Sequence, residues 1–192
     1  MRSPLMSMLK TKRDHISELP HEQFSARRAM YTDEEWQSLW ELNAYPFQLP
    51  PEGDWVSWTV LGGGGVGVTT AGRRWMVDKF LTAEPGTNLV SIHHHMRALD
   101  DQAHLMWDEL KVDPDLQTQN DGRDFKFRNT SRGVRLVMLN NNPDSWRGLD
   151  ATYLWADDIT DATQVRASFI RTSQFCFTRP VKLDPETIVT RA

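Results

Sequence analysis

Two spacings of apolar residues alternate along the middle of the chain, one typical of buried strands and one typical of helices. A β-rich apolar run covers residues 55–61 and ends in four consecutive glycines. Residues 70–81 then have helical character, and residues 88–92 form the next β-rich run. A strand, a helix and a second strand in this order predict a βαβ unit, and therefore an α/β fold.

The second half of the chain continues the pattern. Residues 96–110 predict a helix, with one apolar face made by Leu99, Ala103, Met106 and Leu110. Residues 125–128 and 134–139 flank the turn 129–133 and predict a hairpin. Residues 151–156 predict a short buried strand, a polar helical stretch follows to about residue 171, and residues 174–178 predict a last strand in this series.

The polar N-terminal region differs from the rest of the chain. Residues 1 to about 30 carry basic clusters and predict a mobile or partly helical arm, and a capped helix is expected from Thr32 to before Pro46. The proline-rich stretch 46–54 predicts an extended connector. We therefore expect an arm and helix at residues 1–43 and an α/β domain at residues 44–192.

Composition narrows the possible settings of the protein. The net charge of −4 excludes a global positive field for nucleic acid, so contacts with DNA are expected only at local basic clusters. A single cysteine, Cys176, excludes an internal disulfide and fits a reducing compartment. No apolar run is long enough for a signal peptide or a membrane span, so we expect a cytoplasmic protein with no membrane contact.

A glycine-rich loop follows the first predicted strand and leads into the first predicted helix. It is made by Gly62, Gly63, Gly64, Gly65, Val66, Gly67, Val68 and Thr69. The loop matches the phosphate-binding pattern G-x-x-x-x-G-K-[ST] except that Val68 replaces the lysine. Its backbone N–H groups and the helix N-terminus suit a phosphate, and Thr69 retains a hydroxyl for a magnesium ion, whereas a plain structural turn is the alternative.

An apolar strand that ends in two acids lies about 90 residues after this loop. Asp157 and Asp158 follow residues 153–156 in the manner of a Walker B strand, with Asp157 expected to bind magnesium and Asp158 to act on the attacking water. A solvated strand end is the alternative. The order of the two motifs favours a nucleotide site, and we expect Asp157 at the end of a strand adjacent to the loop strand and close to Thr69.

At these residues the chain resembles the large terminase subunits of tailed phages and gene transfer agents. The resemblance covers residues 44–191 and is most specific from Gln48 to Trp75. It extends through Trp146-Arg147-Gly148 to the acidic strand, then to Thr178-Arg179-Pro180, which is similar to the coupling motif, and to residues 188–191. It implies a three-layer α/β P-loop NTPase of the additional-strand class, with a central mostly parallel sheet.

The resemblance also assigns further roles, with departures. It implies that Gln48 contacts adenine and that Arg147 contacts phosphate or acts as an arginine finger, a solvent-facing glutamine and a structural salt bridge being the alternatives. The family has a basic residue at Gly64, a lysine at Val68 and a glutamate at Asp158, and all three departures bear on hydrolysis. Since the family continues into a nuclease domain beyond this sequence, no nuclease is expected here.

Other basic and metal-ligating residues carry weaker hypotheses. Arg73 and Arg74 are candidates to replace the lysine charge, although at most one of them can face the loop. His93, His94 and His95 with His104 suggest a metal site, but adjacent histidines point in different directions, so we predict that none forms.

Two functions follow from these observations. The first is a DNA-packaging ATPase impaired in hydrolysis, with ATP and Mg²⁺ as cofactors. Its implied partners are double-stranded DNA, a portal, a small terminase and further copies of the chain in a ring, in a host cytoplasm. The second is a catalytically inactive terminase-derived module that contacts DNA, a portal or an active terminase.

Overall fold

The computed structural model describes residue 40 and residues 44–111, 113–146, 148–169, 171–183 and 187–191. The chain divides into two compact units, Met1–Leu49 and Pro50–Ala192. The predicted arm and the predicted helix from Thr32 lie outside the described residues, except for residue 40. In the first unit, a single 3₁₀ turn, Pro46–Gln48, occupies the start of the predicted connector.

The second unit alternates strands and helices. Its strands are β1 (Ser57–Leu61), β2 (Asn88–His93), β3 (Leu116–Asn120), β4 (Phe125–Asn129), β5 (Arg135–Asn140), β6 (Tyr153–Asp157), β7 (Gln174–Thr178) and β8 (Ile188–Arg191). Its helices are α1 (Val68–Thr82), α2 (Met96–Leu110), the single turn α3 (Pro143–Trp146) and α4 (Ala162–Ser168). The predicted βαβ unit, hairpin and later strands are confirmed, whereas the mostly exposed strand β3 was not predicted.

The eight strands form one sheet in the order β3-β4-β5-β2-β6-β7-β1-β8. The strands from β5 to β8 in this order pair in parallel, and only the β3-β4-β5 edge is antiparallel. The fold class is thus confirmed as α/β with a mostly parallel sheet. Because β7 lies between β1 and β6, the strand after the acidic strand is inserted beside the loop strand.

Helices cover both faces of this sheet. Alternate residues of β6 point to opposite faces, so Trp155 meets α1 on one side while Leu154 and Ala156 point to the other. On that second face Val165 of α4 and Phe169 pack with them in one buried cluster. On the first face α1 and α2 pack against each other and against the sheet. These three layers hold the C-terminal ends of the parallel strands at one edge.

Candidate phosphate-loop site

The glycine loop connects the end of β1 to the start of α1. Gly65 and Gly67 have φ angles of 83° and 84°, a region that favours glycine, and Gly67 is the N-cap of α1. A Cβ atom added at Gly63, Gly64 or Gly65 would meet no atom within 4 Å. The predicted loop between a central strand and a helix N-terminus is therefore confirmed, and its outer side is open to an approaching group.

Val68 begins helix α1, and its side chain is buried at 3% exposure. The position at which a P-loop carries lysine therefore contributes an apolar side chain to the core. Only the backbone of Val68 is left to contact a ligand at this loop.

Thr69 and Asp157 meet directly at the same edge of the sheet. Thr69 Oγ1 donates a hydrogen bond to Asp157 Oδ1 at 3.1 Å, and Asp157 lies at the end of β6 with 3% exposure. The expected proximity of the two motifs is confirmed. The expectation of adjacent strands was wrong, because β7 separates β6 from β1 and the two side chains meet across its end.

The end of β7 supplies two contacts whose partners were not identified from the sequence. Thr178 Oγ1 donates to Asp157 Oδ1 at 2.6 Å and accepts from Trp155 Nε1 at 2.9 Å. Arg179 Nη2 donates to Thr69 Oγ1 at 2.8 Å and lies 3.6 Å from Asp157 Oδ1. The signal in the sequence was the segment Thr178-Arg179-Pro180, but its partners depend on which strands are neighbours.

The electrostatic environment of Asp157 combines opposing effects. Burial raises the pKa of its carboxyl above the ordinary value, and this is the largest effect. The hydrogen bond from Thr178, the charge of Arg179 and the hydrogen bond from Thr69 act in the opposite direction. A buried carboxylate thus depends on the neighbouring guanidinium and hydroxyls for its charge.

Thr69 and Asp157 carry the two oxygens predicted to bind a magnesium ion. Mg²⁺ requires near-octahedral oxygen ligands at about 2.0–2.1 Å. A metal ion between Thr69 Oγ1 and Asp157 Oδ1 would stand against the Arg179 guanidinium, which contacts both oxygens. The donor set as arranged therefore does not fit a magnesium ion while Arg179 keeps this position.

Asp158 follows the strand end with an exposed side chain and a φ angle of 54°. This left-handed conformation is uncommon outside glycine, although aspartate tolerates it better than most residues. Its backbone N–H donates to Thr178 O at 2.8 Å, which holds the turn after β6. Its predicted action on water stays a prediction.

Arg73 and Arg74 are directed away from the glycine loop. Both form ion pairs with Glu109 of α2, and the contact from Arg74 Nη1 is 2.9 Å long. Burial, together with the charge of Arg74, lowers the pKa of Arg73 to about 10. These pairs join α1 to α2, so the two arginines act between helices rather than in place of the loop lysine.

Two predicted site residues receive no assignment at this edge. Gln48 lies in the first unit, where its Oε1 accepts a hydrogen bond from the Tyr45 N–H at 2.9 Å, and its contact with adenine stays a prediction. Arg147 lies outside the described residues, so its role also stays a prediction.

The histidines have other partners. His93 is buried and hydrogen-bonded to Ser91, while His95 Nδ1 accepts from the Ala98 N–H and caps α2. His104 Nδ1 bonds the Asp100 carbonyl. Within the described part of the chain, no group of three or more His, Cys, Asp or Glu is placed to hold a metal ion.

A glycine loop between a strand and a helix, an acid at the end of a second strand, and an inserted strand between them define a P-loop fold of the additional-strand class. The large terminase ATPase domain of Thermus phage P74-26 has this fold, with a TM-score of 0.54 and 14% identity over 84% of this chain and 85% of that one. An arginine-to-alanine mutant of that domain gives a TM-score of 0.52 and 12% identity over 71% and 75%. The chain thus has the fold of phage large terminase ATPase domains.

A large terminase from another thermophilic bacteriophage is a longer relative in structure. Its TM-score is 0.49 at 12% identity, and the match covers 72% of this chain but only 36% of that one. No protein-family model and no curated protein matches the sequence. Among the described residues, no helix is long and apolar enough to cross a membrane.

Proposed function

We propose that this chain is the nucleotide-binding core of a DNA-packaging motor of the large-terminase type, in a form impaired in ATP hydrolysis. The hydrogen bond from Thr69 to Asp157 carries the proposal. It joins the first helical turn after a glycine loop to the acid at the end of a separate strand, which is the arrangement that a nucleotide site of this fold requires. The proposed ligand is ATP.

The residues divide the work in a simple way. Gly63, Gly64 and Gly65 leave open space through which phosphate oxygens approach the backbone. Thr69 and Asp157 fix the inner end of the site by their mutual contact. In phosphoryl transfer the protein contributes mainly positioning and charge stabilisation, so the loss of the loop lysine at Val68 removes one of the main terms and leaves binding less affected than turnover.

The partners that we propose are those of such a motor: double-stranded DNA, a portal, a small terminase and other copies of this chain, all in the host cytoplasm. Two features support impairment, the buried Val68 and the shorter acid Asp158. The same features favour the alternative function, an inactive module that acts through those partners alone. Nucleotide binding discriminates between the two.

A charge series at one loop position tests nucleotide binding. Gly64 has a negative φ angle and open space at its Cβ, so Gly64→Lys, Gly64→Asn and Gly64→Asp are all expected to fold. If phosphates lie at the loop, affinity for a fluorescent ATP analogue falls in the order Lys, Asn, Asp, by about tenfold or more across the series. The charge should have no effect on binding of adenosine, which is the control ligand.

The matched outcome is equally specific. Wild-type protein that binds no nucleotide, with no gain from Gly64→Lys, would reject the ATPase core and leave the binding module. Equal affinity of the Lys and Asp variants would show that the phosphates lie elsewhere. Melting temperatures of the three variants should agree closely, because the altered side chain points into open space.

A further inference from the structure

The Arg179 guanidinium lies where helix α1 meets the ends of two strands. Its Nη2 is 2.8 Å from Thr69 Oγ1 and 3.6 Å from Asp157 Oδ1, and these two oxygens are 3.1 Å apart. One guanidinium nitrogen therefore contacts both of the oxygens that were predicted to bind a metal ion. A positive charge already stands at this point of the site.

The backbone holds this side chain in place. Arg179 has a φ angle of 50°, and its N–H donates to Val60 O at the end of β1 at 3.1 Å. A left-handed conformation at a residue other than glycine persists only where the surrounding structure determines it. The buried Pro180 follows directly and restricts the chain further. The guanidinium position is therefore set by the edge of the sheet.

The guanidinium also has capacity for a ligand. It carries five N–H donors, of which the Thr69 contact uses one. Within the described residues its buried Nε has no hydrogen-bond partner. The side chain is 38% exposed, so part of it can be approached from outside. Arginine matches phosphate oxygens in a fork geometry, and it keeps its charge at any relevant pH.

Neighbouring cations do not offer the same position. Arg73 and Arg74 are paired with Glu109, and Lys182 is paired with Asp161 at 3.0 Å. The loop itself presents the buried Val68 where a lysine would stand. Arg179 is thus the cation that the structure brings to the meeting point of Thr69 and Asp157.

We propose that Arg179 serves as the fixed cation of this site in place of a magnesium ion, so that the chain binds a nucleoside triphosphate without a divalent metal. This inference rests on the proposed nucleotide binding. A metal ion would have to displace the guanidinium from Thr69 and Asp157 before it could use their oxygens. Removal of the guanidinium frees both oxygens and makes binding depend on the metal.

The test measures affinity for a fluorescent ATP analogue in magnesium buffer and in EDTA. For the wild type, the two dissociation constants should agree within about threefold. Arg179→Gln keeps a donor but loses the charge, so its affinity in EDTA should fall about tenfold or more and recover when magnesium is added. Arg171→Gln is the matched control, because Arg171 is an exposed arginine paired only loosely with Asp150, and it should behave as the wild type.

The outcomes separate this inference from the proposed function. Wild-type binding that is present in magnesium and lost in EDTA overturns the role of Arg179 and leaves nucleotide binding intact. Absence of binding in both buffers rejects both proposals. Circular dichroism checks the fold of Arg179→Gln, and if that variant fails to fold, the wild-type comparison between the two buffers still decides.

Discussion

His93 lies at the end of β2, fully buried, with its ring edge-on to Trp155 and its Nε2 bonded to Ser91. Burial lowers the pKa of His93 to about 3, so the folded protein keeps this imidazole neutral. In the unfolded chain the same group takes up a proton below its ordinary value of 6.5. Protonation of this side chain therefore opposes folding throughout the interval between these two values.

Stability should consequently fall on mild acidification. From pH 7 to pH 5 the unfolded state gains a proton at His93 that the folded state does not, which removes about 2 kcal/mol of stability. His93→Leu should lose that part of the pH dependence, whatever its stability at pH 7. Urea unfolding of both proteins at the two pH values measures the difference, and equal losses in wild type and variant would contradict the account.

Residue chemistry alone predicted Thr69 and Asp157 but not Arg179. The first two belong to motifs whose chemistry is local, a hydroxyl after a glycine loop and an acid after an apolar strand. The position of Arg179 depends on strand order, because β7 must lie between β1 and β6 to bring its end to Thr69. Non-local pairing of this kind is not encoded in spacing along the chain.

Helix α1 and strand β6 approach each other most closely at Gly72. A Cβ atom at this position would overlap the indole ring of Trp155. Trp155 in turn donates to Thr178, which bonds Asp157. The glycine is therefore required for packing between the helix that carries Thr69 and the strand that carries Asp157.

Gly72→Ala should destabilise the protein although alanine favours helix. Overlap with a buried indole forces the helix or the ring to shift, at a cost of about 1–3 kcal/mol that outweighs the gain in helix propensity of about 1 kcal/mol. Gly64→Ala is the control, since its Cβ would meet no atom within 4 Å. Denaturant unfolding compares them, and a Gly72→Ala protein as stable as the wild type would refute this packing.

Hydrophobic spacing predicted most elements because their faces are buried. The face of α2 made by Leu99, Ala103, Met106 and Leu110 is fully buried, as its spacing indicates. Strand β3 was missed because its sequence, Leu-Gln-Thr-Gln-Asn, is polar and exposed at the edge of the sheet. Pairing with β4, rather than burial, holds it as a strand.

The whole domain combines an intact P-loop fold with an altered site. The parallel sheet brings the ends of β1, β6 and β7 together, so the scaffold for a nucleotide is present at one edge. The charges at that edge differ from those of the family pattern at Val68 and Asp158, and Arg179 contributes a cation of its own. Binding without efficient turnover is the expected consequence.

Steady-state phosphate release at saturating ATP, with double-stranded DNA and magnesium present, tests this account most directly. Loss of one charged donor at the transition state predicts turnover about a hundred- to a thousandfold below that of a functional terminase, while the nucleotide remains bound. Turnover equal to that of a functional terminase and abolished by Asp157→Ala would contradict the account, because it would show that the altered site hydrolyses ATP efficiently.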